Sequence, residues 1–371
     1  MKFNKFALSE LATIKYGKNQ KKVLSEGGNI PIYGTGGLIG YATTALYDKP
    51  SVLIGRKGTI GKVKYVEHPF WTVDTLFYTI VNTDIVLPKY LYYVMSLMDL
   101  NNYNEGTTIP SLRTETLNRL EFDIPSLVEQ ETILSCLNPI DEKIALNNAI
   151  NNNLEQQAQA YFDDLFVVNA DPNWSECTLS DIGSVVAGGT PSKTKPEYYA
   201  DQGIAWITPK DLSVNKSKFI SHGENDISEL GYSKSSATKI PAGTILFSSR
   251  APIGYIAIAQ NEVTTNQGFK SVIPNENIGT AYLYFLLKNL LPTIEGMASG
   301  STFKEISGSA MKSVPTVMPD ADTIQLFSSF CEPVFKEQEI LEAENQRLSA
   351  LRNSLLPKLM SGKLDVSEID L

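Results

Sequence analysis

One segment of the chain, residues 140–165, recurs 194 residues later in the same helical phase. Positions spaced alternately four and three residues apart are mainly apolar, with asparagine near the middle, which is typical of a heptad seam. The first series is Ile140, Ile144, Asn147, Asn151, Leu154, Ala158, Tyr161 and Leu165, and the second is Val334, Gln338, Leu341, Asn345, Leu348, Arg352, Leu355 and Leu359. Because the two series align without a gap, the sequence predicts two long helices with matching seams.

The repeat extends upstream of the seam. Thr72–Ile80 matches Thr265–Ile273 at an offset of 193, and Leu8–Leu11 matches Leu179–Ile182 at an offset of 171. The pattern therefore predicts two copies of one plan, each a globular part followed by a long helix. The second copy has about 23 extra residues between Gly189 and Leu246, since the offset grows from 171 to 194, and these are expected to form a loop.

The predicted domains are residues 1–125, a helical spacer at 126–170, residues 171–320, and a second helical spacer with a tail at 321–371. A chain of 371 residues is long enough for two such globular domains. No apolar run reaches 18 residues and no basic-then-apolar leader opens the chain, so we expect neither membrane spanning nor secretion. The three cysteines are isolated, which suits a reducing cytoplasm.

The net charge of −9 is unevenly distributed. The formal net charge is +3 over residues 1–125, −6 over 126–170, −2 over 171–320 and −4 over 321–371. Most of the excess acidity thus falls on the predicted helices, and the globular parts are free to carry basic patches. Overall charge bears on solubility and steering, so an acidic total does not exclude nucleic acid as a partner.

The globular part of the first copy reads as short strands separated by glycine-rich turns. Apolar and alternating runs predict strands at 30–33, 51–54, 71–81 and 117–124, with a return strand at 62–66, and a helix at 88–98. The segment Gly34–Gly40 has the wrong glycine spacing for a dinucleotide site, and no helix-length pattern follows it, so a tight turn is the better interpretation.

No catalytic motif stands out in the sequence. There are only two histidines, His68 and His222, and neither has a Cys or His partner at metal-ligand spacing. Nucleophile elbows and phosphate loops are missing from the sequence. What recurs in both copies is a set of loops rich in glycine, hydroxyl and cationic residues. Each loop alone fits an ordinary solvated turn, but the repeated set favours a surface that binds phosphates and base edges.

The whole chain resembles the specificity subunit of a type I restriction–modification system. The resemblance rests on residues 8–12, 60–61, 106–109 and 124–130 in the first copy, and on residues 179–183, 189–192, 249–254 and 355–362 in the second. No single motif is specific, but their order and the duplication are. One departure is that Thr323-Ile324 stands where the first copy has Glu129-Gln130, which puts equal subunit contacts in doubt.

The resemblance implies an α+β fold with an internal pseudo-two-fold. Two similar α/β target-recognition domains would be joined by two long antiparallel helices forming a coiled coil. Residues 140–165 as a helix would be about 39 Å long at 1.5 Å per residue, close to the roughly 34–36 Å turn of B-DNA. The helices would then act as a ruler between two half-sites.

The resemblance also implies double-stranded DNA as ligand, two methyltransferase subunits as partners, and restriction endonuclease/translocase subunits beyond them. The chain itself would be non-catalytic, would hold no metal or cofactor, and would leave S-adenosylmethionine to the methyltransferase subunits. The predicted DNA contacts are Lys18, Asn19, Lys21, Lys22, Arg56, Lys57, Thr59, Thr107, Thr108, Ser111, Arg113, Thr190, Ser192, Lys193, Lys210, Ser249, Arg250, Asn266, Gln267, Ser301, Thr302 and Lys304. The predicted helix-pair seam is Ile140, Ile144, Asn147, Asn151, Leu154, Leu341, Asn345, Leu348 and Leu355.

Two other functions stay open on the residues alone. A non-catalytic scaffold with two protein- or glycan-binding domains on a coiled coil also fits polar, glycine-rich loops. Steep salt dependence of duplex binding separates the two, because phosphate contacts release counterions. An enzyme with its own adenine methyltransferase activity lacks a visible cofactor loop, and binding of S-adenosylmethionine by the isolated chain would support it.

Overall fold

The computed structural model describes residues 1–300 and 304–366. The chain divides into two compact units, one formed by Met1–Ile144 together with the residues from Arg347 onward, and one formed by Ala145–Gln346. Each unit contains part of both long helices. The four domain boundaries expected from the sequence stay a prediction.

The first unit is built from short, mostly antiparallel strands and short helices. Its elements are β1 (Asn4–Ala7), α1 (Leu8–Leu11), β2 (Ala12–Tyr16), β3 (Ile30–Gly34), β4 (Gly37–Ala42), β5 (Ser51–Gly55), β6 (Val63–Val66), β7 (Trp71–Thr72), β8 (Leu76–Val81), α2 (Pro88–Ser96), a 3-10 turn at Leu100–Tyr103, α3 (Thr114–Asn118) and β9 (Glu121–Ile124), followed by the long helix α4 (Leu127–Asp163). The main sheet has the order β2-β8-β5-β6, a second sheet has the order β4-β3-β7, and β1 pairs with β9.

Burial explains the position of the central strand β5. All five of its residues are buried, because both faces of this strand are covered. Val52 and Ile54 belong to a core cluster with Phe77 on β8 and with Tyr90 and Leu91 on α2. The helix α2 therefore closes one face of the main sheet.

The second unit repeats this plan with additions. Its elements are the remainder of α4, a π-helical segment at Asp164–Val168, β10 (Ser175–Thr178), α5 (Leu179–Ile182), β11 (Gly183–Ala187), a 3-10 turn at Pro196–Tyr198, β12 (Tyr199–Ala200), β13 (Ile204–Ile207), α6 (Pro209–Val214), β14 (Phe219–Ile220), β15 (Asn225–Ile227), α7 (Glu229–Ser233), β16 (Ile245–Ser249), β17 (Ile253–Ala259), β18 (Thr264–Thr265), β19 (Lys270–Pro274), α8 (Thr280–Asn289), α9 (Leu291–Met297), α10 (Gly308–Lys312), β20 (Pro315–Met318) and α11 (Ala321–Met360).

The duplication predicted from the sequence is visible in the sheet topology. The order β11-β19-β16-β17 in the second unit matches β2-β8-β5-β6 in the first, with β14 added at one edge. The parallel pairing of β3 with β7 is matched by that of β13 with β18. The mixed fold class with a repeated unit is therefore confirmed.

The extra residues of the second copy do not form a loop, as the sequence analysis had expected. They include α6 and α7 together with β14 and β15. Leu212 and Ile220 in this region are 5% and 3% exposed and join a core cluster with Leu246. Their apolar side chains thus bury surface that a solvated loop would leave exposed.

Two strands predicted in the first copy are also corrected. The strand expected at 71–81 is broken by a turn, in which Leu76 N–H donates to the carbonyl of Val73 at 3.0 Å. Asp74, expected inside a strand, lies exposed in that turn. The strand expected at 117–124 begins only at Glu121, because Leu117 is buried as part of the helix α3.

Both long helices begin about 13 residues before their predicted seams, because capping residues precede them. Ser126 N–H and Oγ both donate to the Glu129 carboxylate at 2.9 Å, which caps α4. Thr323 N–H donates to Asp320 Oδ1 at 2.8 Å at the start of α11. This hydrogen bond, together with that from the Thr323 hydroxyl, holds the pKa of Asp320 below its usual range.

Inside the second unit, α4 and α11 pair antiparallel through a polar centre. Asn147 Nδ2 donates to Asn345 Oδ1 at 3.0 Å, and Gln338 Nε2 donates to the carbonyl of Asn151 at 3.1 Å. As the residue number rises on one helix it falls on the other. Asn147 is fully buried, so an asparagine predicted at the seam does lie within the interface between the two helices.

The other seam residues differ in burial. Ile140 and Leu341 are 9% and 5% exposed, which fits the prediction. The partly buried seam residues are Ile144, Asn151, Leu154, Asn345, Leu348 and Leu355. Inside the first unit, the two helices are tied by Arg352, whose Nη1 donates to Asp141 Oδ1 at 2.9 Å.

Candidate nucleic-acid interface

The basic loop of the first unit begins against the turn between β7 and β8. Gly17 N–H donates to the carbonyl of Leu76 at 3.0 Å, and Lys18 N–H donates to that of Thr72 at 2.8 Å. Trp71 Nε1 donates to the carbonyl of Lys18 at 2.8 Å. These bonds fix the start of the basic loop that holds Lys18, Asn19, Lys21 and Lys22, and all four side chains are exposed.

The cationic turn after β5 lies beside the loop that precedes α3. Gly58 N–H donates to the carbonyl of Pro110, and Leu112 N–H donates to that of Arg56, both at 2.9 Å. Lys57 and Ser111 form an antiparallel bridge. The structure thus brings together two cationic and hydroxyl-rich loops that lie about 50 residues apart in the sequence.

Arg56 and Lys57 occupy different environments. Arg56 Nη1 donates to the carbonyl of Asp74 at 2.8 Å, and its guanidinium lies 5.0 Å from the centroid of the Tyr16 ring. These contacts hold Arg56 in place across the turn. Lys57 is exposed, so its ammonium is free to reach a ligand.

The second unit forms the same backbone hydrogen bonds between its loops with different side chains. We refer to this shared set of loop-to-loop bonds as the loop frame. Gly188 N–H donates to the carbonyl of Phe269 at 3.5 Å, and Gly189 N–H donates to that of Thr265 at 2.8 Å. Ile306 N–H donates to the carbonyl of Ser249 at 3.1 Å. Arg250 and Glu305 form an antiparallel bridge. Each bond has its counterpart in the first unit.

Glycine is required at one matching position of each unit. A Cβ on Gly17 would lie 2.0 Å from the carbonyl oxygen of Val73, and one on Gly188 would lie 2.1 Å from that of Asn266. Such distances are far below van der Waals contact, so only glycine allows the first loop to approach the turn. The glycines of the two basic loops therefore set the frame itself.

These backbone hydrogen bonds match the two cationic turns residue by residue. Because Leu112 bonds to Arg56 as Ile306 bonds to Ser249, Arg56 corresponds to Ser249. Lys57 then corresponds to Arg250, each bridging the neighbouring loop. Ser249 is fully buried and its Oγ donates to the carbonyl of Gly268 at 3.0 Å. Ser249 thus supports the turn from inside and does not face a ligand.

Arg250 sits in a restrained turn. The next residue, Ala251, has φ 49°, a left-handed conformation that side-chain-bearing residues rarely adopt. Arg250 Nη1 lies 3.5 Å from Glu305 Oε2, and Lys270 Nζ lies 3.8 Å from Glu305 Oε1. Glu305 therefore holds two cations beside the turn. Sequence analysis missed both Glu305 and Lys270, because only the strand register brings them next to Arg250.

The remaining predicted contacts are distributed as follows. The exposed ones are Thr59, Thr107, Thr108, Arg113, Ser192, Lys193, Lys210, Gln267 and Lys304, and the partly buried ones are Ser111, Thr190 and Asn266. Thr190 Oγ1 donates to Gln267 Oε1, which joins two of the predicted loops. Arg113 and Lys210 are engaged by Glu105 at 3.1 Å and by Glu224 at 2.5 Å. Ser301 and Thr302 lie outside the described residues.

Within residues 1–300 and 304–366, no three His, Cys, Asp or Glu side chains are grouped so that they could hold a metal ion. None of the helices in the described part of the chain combines the length and apolar character needed to cross a membrane.

Two units of one strand order, each presenting the same loop frame, define a duplicated recognition protein. The chain belongs to the family of the type I restriction modification DNA specificity domain, whose sequence profile matches residues 1–156 and 172–350. The match covers nearly all of both repeats.

Curated relatives and a solved structure agree with this family. The MjaIX specificity subunit of Methanocaldococcus jannaschii, a type I restriction enzyme subunit, is 41% identical over 46% of this chain, and the match spans 41% of that relative's length. The HindI specificity subunit of Haemophilus influenzae is 25% identical over 82% of this chain and 84% of the relative. A crystal structure of a type I S subunit from M. genitalium has a TM-score of 0.57 at 19% identity, covering 97% of this chain and 96% of that one, which shows a shared fold.

Proposed function

We propose that this chain is the subunit of a type I restriction–modification complex that recognises the DNA sequence. Each unit reads one part of a bipartite target. The observation that carries the proposal is the loop frame of glycine, hydroxyl and cationic residues, built by matching backbone hydrogen bonds in both units. Family membership favours this function over a protein- or glycan-binding scaffold.

The two units present different side chains on one frame, so we infer that the half-sites differ. Lys57 in the first unit and Arg250 in the second occupy the same place. An arginine offers a planar fork that suits a guanine edge, whereas a lysine acts as a point charge. The exposed basic loop at Lys18–Lys22 and its counterpart at Thr190–Lys193 supply phosphate contacts, which set register and carry no sequence information.

The proposed partners are those of the complex. The helices dock two methyltransferase subunits, which bring S-adenosylmethionine, and through them the restriction endonuclease/translocase subunits. The chain itself is non-catalytic and binds no cofactor or metal of its own. The complex acts in the cytoplasm. The hydrogen bonds between the two helices support an antiparallel pair, whose length sets the gap between half-sites.

Binding to a duplex that carries the mapped target tests the DNA assignment. The complex is reconstituted, its methylated motif is mapped in genomic DNA, and the affinity for that duplex is measured from 50 to 200 mM salt. With several phosphate contacts, affinity is expected to fall by roughly 10³-fold or more over this range. A flat salt response would count against DNA as the ligand.

Alanine variants at the matching positions test the site. Arg250→Ala is expected to cost about 1–3 kcal/mol at one base position of one half-site, if the arginine reads a base. Lys57→Ala is expected to act only on the other half-site. The matched control is Lys312→Ala, on an exposed lysine of the second unit outside the loop frame. Unchanged affinity and unchanged base preference in both variants would overturn the site assignment.

A further inference from the structure

The first unit has an open hollow beside its cationic turn. Its volume is about 410 Å³, and it lies between the β3–β4 turn and the cationic turn after β5. Hollows of roughly 300–1,000 Å³ are the usual size for small-ligand sites. Leu53 and Leu76 give it an apolar floor, and its rim carries Lys62 and Lys64.

The equivalent hollow in the second unit is filled by the chain itself. Leu53 pairs with Lys64 in the first unit, as Leu246 pairs with Ala257 in the second. In the second unit the buried Leu212 of α6 belongs to one core cluster with Leu246 and Ala257. The same cluster includes Ile207 and Phe269. The helix that the first copy lacks therefore occupies the place that is open in the first unit.

The residues that line the open hollow also differ in chemistry from their counterparts in the second unit. Lys64 stands where the second unit has Ala257, and by the same register Lys62 stands where it has Tyr255. The lining of the hollow includes no Asp or Glu. Neither lysine forms an ion pair with a carboxylate in the part of the chain that the structure describes. Two cations without an acidic partner favour an anion as the ligand.

Lys64 is held in place over an aromatic ring. Its Nζ lies 3.9 Å from the centroid of the Tyr33 ring, and the Tyr33 hydroxyl lies 3.3 Å from His68 Nε2. Burial lowers the pKa of Lys64, and an anion bound beside its ammonium would oppose that shift. At the rim, Thr35 and the glycines on either side of it offer hydroxyl and backbone groups at a turn.

We propose that the hollow of the first unit binds a nucleotide, with its phosphate between Lys62, Lys64 and the β3–β4 turn and its base against the apolar floor. Two sources supply this chemistry, a nucleotide of a bound DNA strand or a free mononucleotide. The first source rests on the proposed function, and the second does not.

Adenosine monophosphate and the mapped duplex are the two probes, and both are titrated against the full chain in its complex. In calorimetry, we expect AMP to bind the wild type and to bind Lys62→Met/Lys64→Met at least tenfold more weakly. On the duplex, loss of one phosphate contact lowers the slope of log affinity against log salt by about 0.9. Lys49→Met removes the same charge from an exposed lysine of the first unit and is the matched control.

Each result either distinguishes the two sources of the nucleotide or contradicts nucleotide binding in the hollow. Lost AMP binding alone supports a free nucleotide, and a reduced salt slope alone supports a nucleotide of the DNA strand. Lys64→Arg keeps the cation and is expected to retain binding, which separates loss of charge from loss of folding. If neither measurement differs between Lys62→Met/Lys64→Met and wild type, the proposal is overturned, while a steep salt slope for both still supports DNA recognition.

Discussion

Glu155 on α4 is the common partner of two lysines inside the second unit. Its Oε1 lies 2.5 Å from Lys288 Nζ, and its Oε2 forms an ion pair with Lys218. The Lys218 side chain is only 6% exposed, and its Nζ lies 4.2 Å from the centroid of the Phe335 ring. We predict that Glu155→Gln destabilises this unit more than Lys218→Met does.

The magnitudes follow from what each change leaves behind. Glu155→Gln leaves two ammonium groups beside a neutral amide, and breaking a buried pair in this way costs about 3–5 kcal/mol. Lys218→Met leaves Glu155 paired with Lys288 and places a flexible apolar chain against the aromatic rings, so we expect about 1–2 kcal/mol. Since 1 kcal/mol shifts Tm by about 2–4 °C for a unit of this size, the expected losses are about 6–20 °C and about 2–8 °C.

The pH dependence of stability gives a second readout. Burial by itself raises the pKa of Glu155, but Lys218 and Lys288 outweigh it and hold the pKa below its usual value. A carboxyl with a lowered folded-state pKa stabilises the protein above its unfolded pKa, and this stability is lost as pH falls through the folded pKa. Glu155→Gln is therefore expected to flatten the acid side of the stability curve.

Thermal unfolding of the full chain and its variants, followed from pH 3 to 7, measures both effects. The control is Lys336→Met, because that lysine is 69% exposed and pairs with Glu339 at the surface; a change within about 0.5 kcal/mol is expected. If Lys218→Met lowers Tm as much as Glu155→Gln, the shared-partner reasoning is refuted.

Four further predictions concern the helices and the units. Asn147→Leu is expected to lower the free energy of unfolding in urea by about 1–3 kcal/mol, since the partly buried Asn345 loses its donor. The double variant Asn147→Leu/Asn345→Leu is expected to recover stability, and a further loss would contradict this. Asp141→Asn should reduce the pH dependence of the free energy of unfolding below about pH 4, because burial raises the pKa of this carboxyl but hydrogen bonds from Tyr93 and Arg352 hold it low. An unchanged pH dependence in this range would contradict the prediction. Exchanging residues 171–320 for those of another family member should alter one half of the methylated motif, and two altered halves would refute modularity. Seven residues inserted in phase into both α4 and α11 should lengthen the unread gap by about three base pairs, at 1.5 Å per residue and about 3.4 Å per base pair; an active complex with an unchanged gap would refute the ruler.

The duplication and the helix pair could be predicted from the sequence because both depend on periodicity. A heptad seam needs only residue spacing, and the buried Asn147 lies where the spacing placed it. Ser126 and Asp320 interrupt no apolar pattern, so the heptad seam alone does not show that they cap the helices through side-chain hydrogen bonds.

The detail of the loop frame could not be predicted, because it depends on backbone register. The sequence does not distinguish the roles of Arg56, Lys57, Ser249 and Arg250, and only the bond from Leu112 to Arg56 shows that Arg56 corresponds to the buried Ser249. The open hollow was missed for a similar reason. Its evidence is a helix present in one copy and absent from the other, and α6 reads as a loop when only local pattern is considered.

The first unit is discontinuous in the chain, and this has a consequence for how the protein is made. Leu356, Leu359 and Met360 from the end of α11 belong to the same core cluster as Leu8 and Leu11. The ribosome synthesises residues 145–346 before these three residues of α11. All residues of the second unit are therefore available for folding before the first unit is complete. The unit encoded earliest is the one whose core closes last, and a ribosome that stalls late in the message leaves that early-made unit with an exposed apolar face.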